Sequence, residues 1–206
     1  NSSIEDESVV AVTDGSYIKE LYPTLCSAAF ILECTQGRGR IVGSFVEQSS
    51  EACAYRGELM GLMAIHLLLA AVNTVQPGLE GQVEIYSDCL GALGKVAFLP
   101  PTRIPSRCSH SDILKKIMIN CSGLSFSRHY AHVKAHQDDM LRYDTLSLEA
   151  KLNVNCDSRA KQVLRRAANS SALHPSTVHL PLEAAVVVIN KEKQTADIAK
   201  DLRYYI

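Results

Sequence analysis

Twice in this chain a short apolar run rich in β-branched residues stops at an aspartate, and between the two lies one long helical pattern. Val9 to Val12 ends at Asp14, where Gly15 permits a turn, and Val83-Glu84-Ile85-Tyr86 delivers Asp88 in the same way. Between them Leu59, Leu62, Met63, Ile65, Leu67 and Leu69 form the broad apolar face of a buried helix that aims Glu58 at a sheet. Strands that alternate with helices need crossover connections and pair in parallel. Gly37-Arg38-Gly39 marks a hairpin earlier in the chain, so the first three strands pair antiparallel. The expected order is strands at 9–14, 27–34 and 39–47, a helix at 51–73, a strand at 82–87 and a helix at 89–97. A proline-rich loop follows, then a helix at 110–120, a strand at 124–133 and a helix at 156–168. This is an α/β fold, a mixed five-stranded sheet with three antiparallel strands followed by parallel ones and helices on its faces.

Asp157 is the fourth acid of interest. It falls in the first turn of the helix expected at 156–168, where Asn155 can cap and the positive end of the dipole favours a carboxylate. Taken singly, each acid has a plainer reading. Asp14 and Asp88 can be turn residues after strands, Glu58 a surface helix residue and Asp157 a first-turn acid. Taken together they converge, and convergent carboxylates raise one another's pKa and destabilise a fold unless a cation neutralises them. An all-oxygen donor set without paired thiols suits magnesium. Two such ions about 3.5 to 4 Å apart stabilise the attacking and leaving oxygens of an in-line phosphoryl displacement, which makes phosphodiester hydrolysis the expected reaction. A zinc site from His132 and His136 with Asp138 or Asp139 is the competing metal reading, and no thiol pair supports it.

With 206 residues, 47% hydrophobic and 21% charged, the chain can bury one sizeable core. The expected organisation is an acidic extension at 1–8, a main domain at 9–168, and a linker with a C-terminal appendage at 169–206. In that appendage 177–182 and 185–190 read as strands and Thr195 as the cap of a last helix. The net charge of −1 argues against a strongly basic nucleic-acid binder, but affinity depends on local phosphate contacts. Arg103, Arg107, Lys115 and Lys116 form one candidate basic group, and Arg159, Lys161, Arg165 and Arg166 another; the bland reading of either is a solvated face. Seven cysteines with no C-x-x-C pair read as small buried residues of a reduced, intracellular compartment. No signal peptide is visible, and no apolar run reaches the length of about 18 residues that suggests a membrane span. The first residue is asparagine, which suggests a segment of a longer polypeptide.

Five separated motifs in order give the chain a clear likeness. Asp14-Gly15-Ser16, Arg56-Gly57-Glu58-Leu59, Tyr86-Ser87-Asp88, His132-Val133-Lys134-Ala135-His136 and Asn155-Cys156-Asp157 together resemble the motifs of a type 1 ribonuclease H domain over about residues 9 to 168. Three features depart from that pattern. The stretch from His136 to Asp157 is longer than usual and carries Asp138, Asp139, Asp144 and Glu149; Ala54 and Tyr55 stand where polar amides are common; and there is no tryptophan and no basic handle after Asp88. The handle-less form resembles the retroelement, reverse transcriptase polyprotein branch.

The resemblance implies a magnesium-dependent endonuclease that cuts the RNA strand of RNA·DNA hybrids with two Mg2+ ions, Mn2+ being an alternative metal. It implies Asp14, Glu58, Asp88, His136 and Asp157 as catalytic residues, with the four acids as metal ligands. Gly15, Ser16, Arg56, Arg103, Arg107 and Lys134 are the expected nucleic-acid contacts. Glu58 would also accept from a ribose 2′-hydroxyl, the group that distinguishes RNA from DNA. His136 would shuttle a proton or assist product departure. A covalently linked reverse transcriptase module upstream is the expected partner. The alternatives are a non-catalytic ribonuclease H-like nucleic-acid-binding module, or an integrase- or transposase-like DNA nuclease. The latter group generally lacks a glutamate on the first helix.

Overall fold

The computed structural model describes residues 8–78, 80–100, 103–105, 108–170, 187–189 and 192–194. Its central feature is one five-stranded sheet of order β3-β2-β1-β4-β5. The strands are β1 (Ser8–Tyr17), β2 (Leu25–Cys34), β3 (Arg40–Gln48), β4 (Gln82–Ser87) and β5 (Ser127–His132). β1, β2 and β3 pair antiparallel through short connections, while β4 lies parallel to β1 and β5 parallel to β4. The helices are α1 (Ala54–Val75), α2 (Leu90–Ala97), α3 (Ser111–Cys121) and α4 (Leu148–Ala168). A separate small hairpin joins β6 (Val187–Ile189) to β7 (Glu192–Gln194). The strand expected at 185–190 falls partly on β6. The strand expected at 177–182 and the helix capped by Thr195 lie outside the described residues.

Alternation along β1 splits its side chains between two cores. Ala11 joins Leu59, Leu62, Met63 and Ile65 of α1 in the larger cluster, which α3 extends through Ile113, Leu114 and Ile117. Val10 and Val12 face the other way and meet Leu152, Cys156 and Ala160 of α4. Each large side chain so buried stabilises the fold by about 1.5–3 kcal/mol relative to exposure. α1 is long and apolar enough to cross a membrane by length and composition alone, although Arg56, Glu58 and His66 interrupt its apolar run. Its apolarity has a local cause: Leu59, Met60, Leu62, Met63 and Ile65 are all fully buried between the sheet and α3.

α4 begins eight residues before the expected start. Ser147 is its N-cap residue and Glu149 its first-turn acid. Leu148, Leu152, Cys156, Ala160 and Leu164 recur every four residues, and this stripe, helped by Ala150 and Val154 against Val133 and Tyr86, holds the helix on the sheet. Asn155 therefore caps nothing. Its amide donates to the Lys151 carbonyl and the Tyr143 hydroxyl, both at 2.9 Å. The long stretch after His136 is taken up by two short 3-10 turns, Gln137–Asp139 and Tyr143–Thr145, and by the early turns of α4.

Candidate metal and nucleic-acid site

The parallel register sets the site. Val12 of β1 lies opposite Tyr86 of β4, so Asp14 and Asp88, each two residues further on, reach the same level just past the last paired residues. β4 ends there at Ser87, whereas β1 runs on to Tyr17 against β2, so Gly15 lies within a strand and not in the expected turn. Crevices at the carboxyl ends of parallel strands are where open α/β sheets bind ligands. Glu58 arrives from the first turns of α1, on the opposite side of the sheet from α4. It can do so because two glycines remove the obstruction. A Cβ on Gly15 would lie 2.4 Å from the Glu58 nitrogen, and one on Gly57 would lie 2.7 Å from the Ser27 carbonyl oxygen and 3.2 Å from the Gly15 Cα. No real side chain tolerates the first two distances, so helix and strand meet backbone to backbone.

Glu58 is held by both oxygens. Gly15 N–H donates to Oε1 at 2.8 Å, and the Ser87 hydroxyl donates to Oε2 at 3.1 Å. Asp14, Glu58 and Asp88 each present one carboxylate oxygen within 4.8 Å of the others. Asp14 and Glu58 are buried, at 5% and 7% exposure, so little solvent screens them. Burial first, and the Glu58 and Asp88 charges next, push the Asp14 carboxyl up to about 9. Burial and Asp88 push Glu58 up to about 7 despite the hydrogen bonds it accepts. Asp88 is raised by burial as well, against a hydrogen bond from Asn153 and the charge of His136. Burial and the neighbouring carboxylates thus favour the protonated form of Asp14 beside Glu58.

The trio fits a hard divalent ion. All its donors are oxygens, and the strain of bringing them together is relieved by positive charge. Asp157 lies in the middle of α4 rather than at its start, so the helix dipole plays no part in placing it. Its charge acts on Asp14 and Asp88, and its Oδ2 accepts from Lys161 Nζ at 2.7 Å, one turn along. His136 is exposed and adopts a left-handed backbone with φ 51° as β5 gives way to the first 3-10 turn. His132 donates from Nε2 to the Asp88 carbonyl at 3.1 Å, which fixes that ring against the strand end. Among the described residues the two histidines form no ligand group with Asp138 or Asp139, so the zinc reading lacks its geometry.

Of the expected nucleic-acid contacts, Gly15 and Ser16 sit beside the acids, and Lys134 and Arg103 are exposed. Arg107 lies outside the described residues. Arg56 needs correction: its side chain is fully buried, with Nε and Nη2 on Glu47 at 2.5 and 2.7 Å and Nη1 and Nη2 on Asp112 at 3.1 and 2.7 Å. It offers nothing to a solvent-borne phosphate. Asn153 is the residue that sequence reasoning missed. It is buried at 3% exposure, bonds to Asp88 and keeps a buried Oδ1 without a hydrogen-bond partner. Its signal was its position four residues before Asp157, which puts both on one helix face.

No protein-family profile matches the chain, and no curated protein sequence does either. Solved structures do. The N-terminal RNase H domain of Rv2228c from Mycobacterium tuberculosis aligns with 81% of this chain and 100% of its own, at 14% identity and a TM-score of 0.53. LC11-RNase H1, solved in complex with an RNA/DNA hybrid, aligns over 77% of this chain and 98% of its own, at 12% identity and a TM-score of 0.55. The prototype foamy virus protease-reverse transcriptase aligns over 75% of this chain at 18% identity and a TM-score of 0.52, and this chain spans 20% of that protein. The mixed five-stranded sheet with its cluster of acids is a ribonuclease H fold, of the kind found in RNase H domains and within a viral protease-reverse transcriptase.

Proposed function

We propose that this protein is a metal-dependent endonuclease that hydrolyses the RNA strand of RNA·DNA hybrids, working with two Mg2+ ions. The observation that carries the reading is the meeting of Asp14, Glu58 and Asp88, oxygen to oxygen within 4.8 Å, in a setting that disfavours their ionisation without a cation. A fold shared with a protein captured on an RNA/DNA hybrid supports the substrate class. Asp14, Glu58 and Asp88 would hold the first ion, and Asp14 with Asp157 the second; Mn2+ would serve in the same positions. When bound, the ions supply Lewis acidity to the scissile phosphate and screen the charge that grows on it during in-line displacement.

The rest of the work falls to the chain. Gly15 N–H and the Ser87 hydroxyl fix Glu58, so its carboxylate does not search among rotamers when ligand arrives. The Asn153 amide does the same for Asp88. Water oxygen bonds to phosphorus as the P–O3′ bond breaks, the water proton passes to solvent, and His136, exposed beside Asp88, gives a proton to the departing 3′ oxygen, leaving a 3′-hydroxyl and a 5′-phosphate. Lys134 and Arg103 supply exposed positive charge for the hybrid backbone. Kinship of fold with the foamy virus protein, and the absence of a basic handle after Asp88, favour a retroelement polyprotein with a reverse transcriptase upstream. Seven free thiols favour a reducing intracellular compartment.

The test is cleavage of a labelled hybrid, compared with duplex DNA and single strands, in Mg2+ and in chelator. Hybrid-selective, Mg2+-dependent cleavage that Asp88→Asn abolishes is the expected result. Cleavage untouched by Asp88→Asn would overturn the assignment.

A further inference from the structure

The least accessible cation in the described fold lies two residues before Glu58. Arg56 has no exposed side-chain surface and spans three elements: its own helix α1, Glu47 near the end of β3 and Asp112 in the first turn of α3. Its Nη1 also lies 3.3 Å from His110 Nδ1, which must accept because a guanidinium only donates. Nε2 then carries the His110 proton and faces Cys53 Sγ at 3.9 Å. The same sulfur accepts from the Arg56 backbone N–H at 3.4 Å and so caps α1.

Gly57 lets α1 meet Gly15 and Ser27 at backbone distance without a side chain of its own, so the first turn is anchored by Leu59 and Met60 in the core, by the bonds on Glu58 and by the bracket on Arg56. Residues 56 and 58 project from opposite sides of the helix's first turn, since two residues turn the helix by about 200°. Whatever holds Arg56 therefore also sets where Glu58 stands relative to the Gly15 N–H and the Asp14 carboxyl. The paired forks on Glu47 and Asp112 hold it in two directions at once, which a point-charge lysine does not reproduce.

The geometry points to Arg56 as a positioning residue for the metal site: its buried bracket of Glu47 and Asp112 sets the first turn of α1 and hence the reach of Glu58. This rests on the functional reading above, because positioning matters only if Glu58 binds metal. Three consequences follow for Asp112→Asn, which keeps the shape and removes one charge from the Arg56 bracket without touching the acidic trio. Mg2+ affinity of the whole chain without substrate, by titration calorimetry, falls about tenfold, the scale of loss when groups that orient metal ligands are removed. At fixed Mg2+ kcat falls while KM for the hybrid holds, and raising Mg2+ restores kcat. Arg56→Lys shows the same pattern more strongly.

Wild-type Mg2+ affinity in both variants, however much stability they lose in urea, would overturn the proposal and leave Arg56 as a structural strut. Asp88→Asn is the control that separates the two readings. If it leaves Mg2+ binding intact, the functional reading fails, and this one with it. If it abolishes binding while Asp112→Asn changes nothing, only the positioning role fails.

Discussion

Replacing Asp14 by asparagine should stabilise the metal-free protein, an unusual outcome for a residue at 5% exposure. The folded-state carboxyl is raised from 3.8 to about 9, and Glu58, with which it shares a proton, from 4.5 to about 7. An acid whose pKa is raised by folding binds more protons folded than unfolded. Stability is therefore fullest below about pH 4 and is lost as pH climbs through the window up to about 9. At pH 8 the loss assignable to Asp14 is on the order of 2–4 kcal/mol, taking about 1.4 kcal/mol per unit and sharing the effect with Glu58. Asparagine keeps the shape, has no proton to lose as pH rises, and its amide can still donate the hydrogen bond by which the Asp14 carboxyl favours an ionised Glu58. The assay is urea unfolding between pH 5 and 8.5 in EDTA and again in 10 mM Mg2+. In EDTA the wild type should weaken steadily with rising pH, and Asp14→Asn should be the more stable protein at pH 8, with a flatter profile. Mg2+ should stabilise the wild type there and have little effect on the variant. An Asp14→Asn protein less stable than wild type at pH 8 in EDTA would refute the claim that the acids repel one another in the fold.

Gly57→Ala should destabilise by at least about 2–3 kcal/mol and abolish Mg2+ binding, since its Cβ would stand 2.7 Å from the Ser27 carbonyl oxygen and force α1 off β1; urea unfolding and calorimetry read both effects. Tyr130→Phe should cost about 1–3 kcal/mol without touching Mg2+ affinity, because the Tyr130 hydroxyl is the donor to Nε2 of the fully buried His66, whose Nδ1–H is committed to the Leu62 carbonyl. His66 itself is pushed down to about 4 by burial, so the stability it lends is present above pH 6.5 and is lost as pH falls towards 4.

Local chemistry sufficed for the strands that deliver Asp14 and Asp88 and for the buried helix that carries Glu58, but not for the end of β1, which passes Asp14 and runs to Tyr17 because β2 pairs with it there. Alternation, a β-branched run and a helical stripe are properties of a few neighbouring residues, and each was strong. The same patterns implied crossover connections and parallel pairing, so the five-stranded order was within reach. The start of α4 was not. Its holding stripe of Leu148, Leu152, Cys156, Ala160 and Leu164 is narrow and set among asparagines, lysines and arginines, so its helical period shows only against the sheet it packs on. Arg56 shows the limit most plainly. Beside Glu58 in sequence, an arginine reads as a phosphate ligand, and nothing local reveals that Glu47 and Asp112 close around it.

Sequence alone determined which residues can carry charge and metal, and which strand or helix delivers each one. Tertiary structure decided which of them meet. The register of β1 on β4 levels Asp14 with Asp88, and two glycines let α1 bring Glu58 to the strand end. Contacts between residues far apart in the chain also turn Arg56 inward. The reason is that periodicity is written over a few consecutive residues, whereas burial, pKa and the partner of a charge depend on surfaces that only long-range packing brings together.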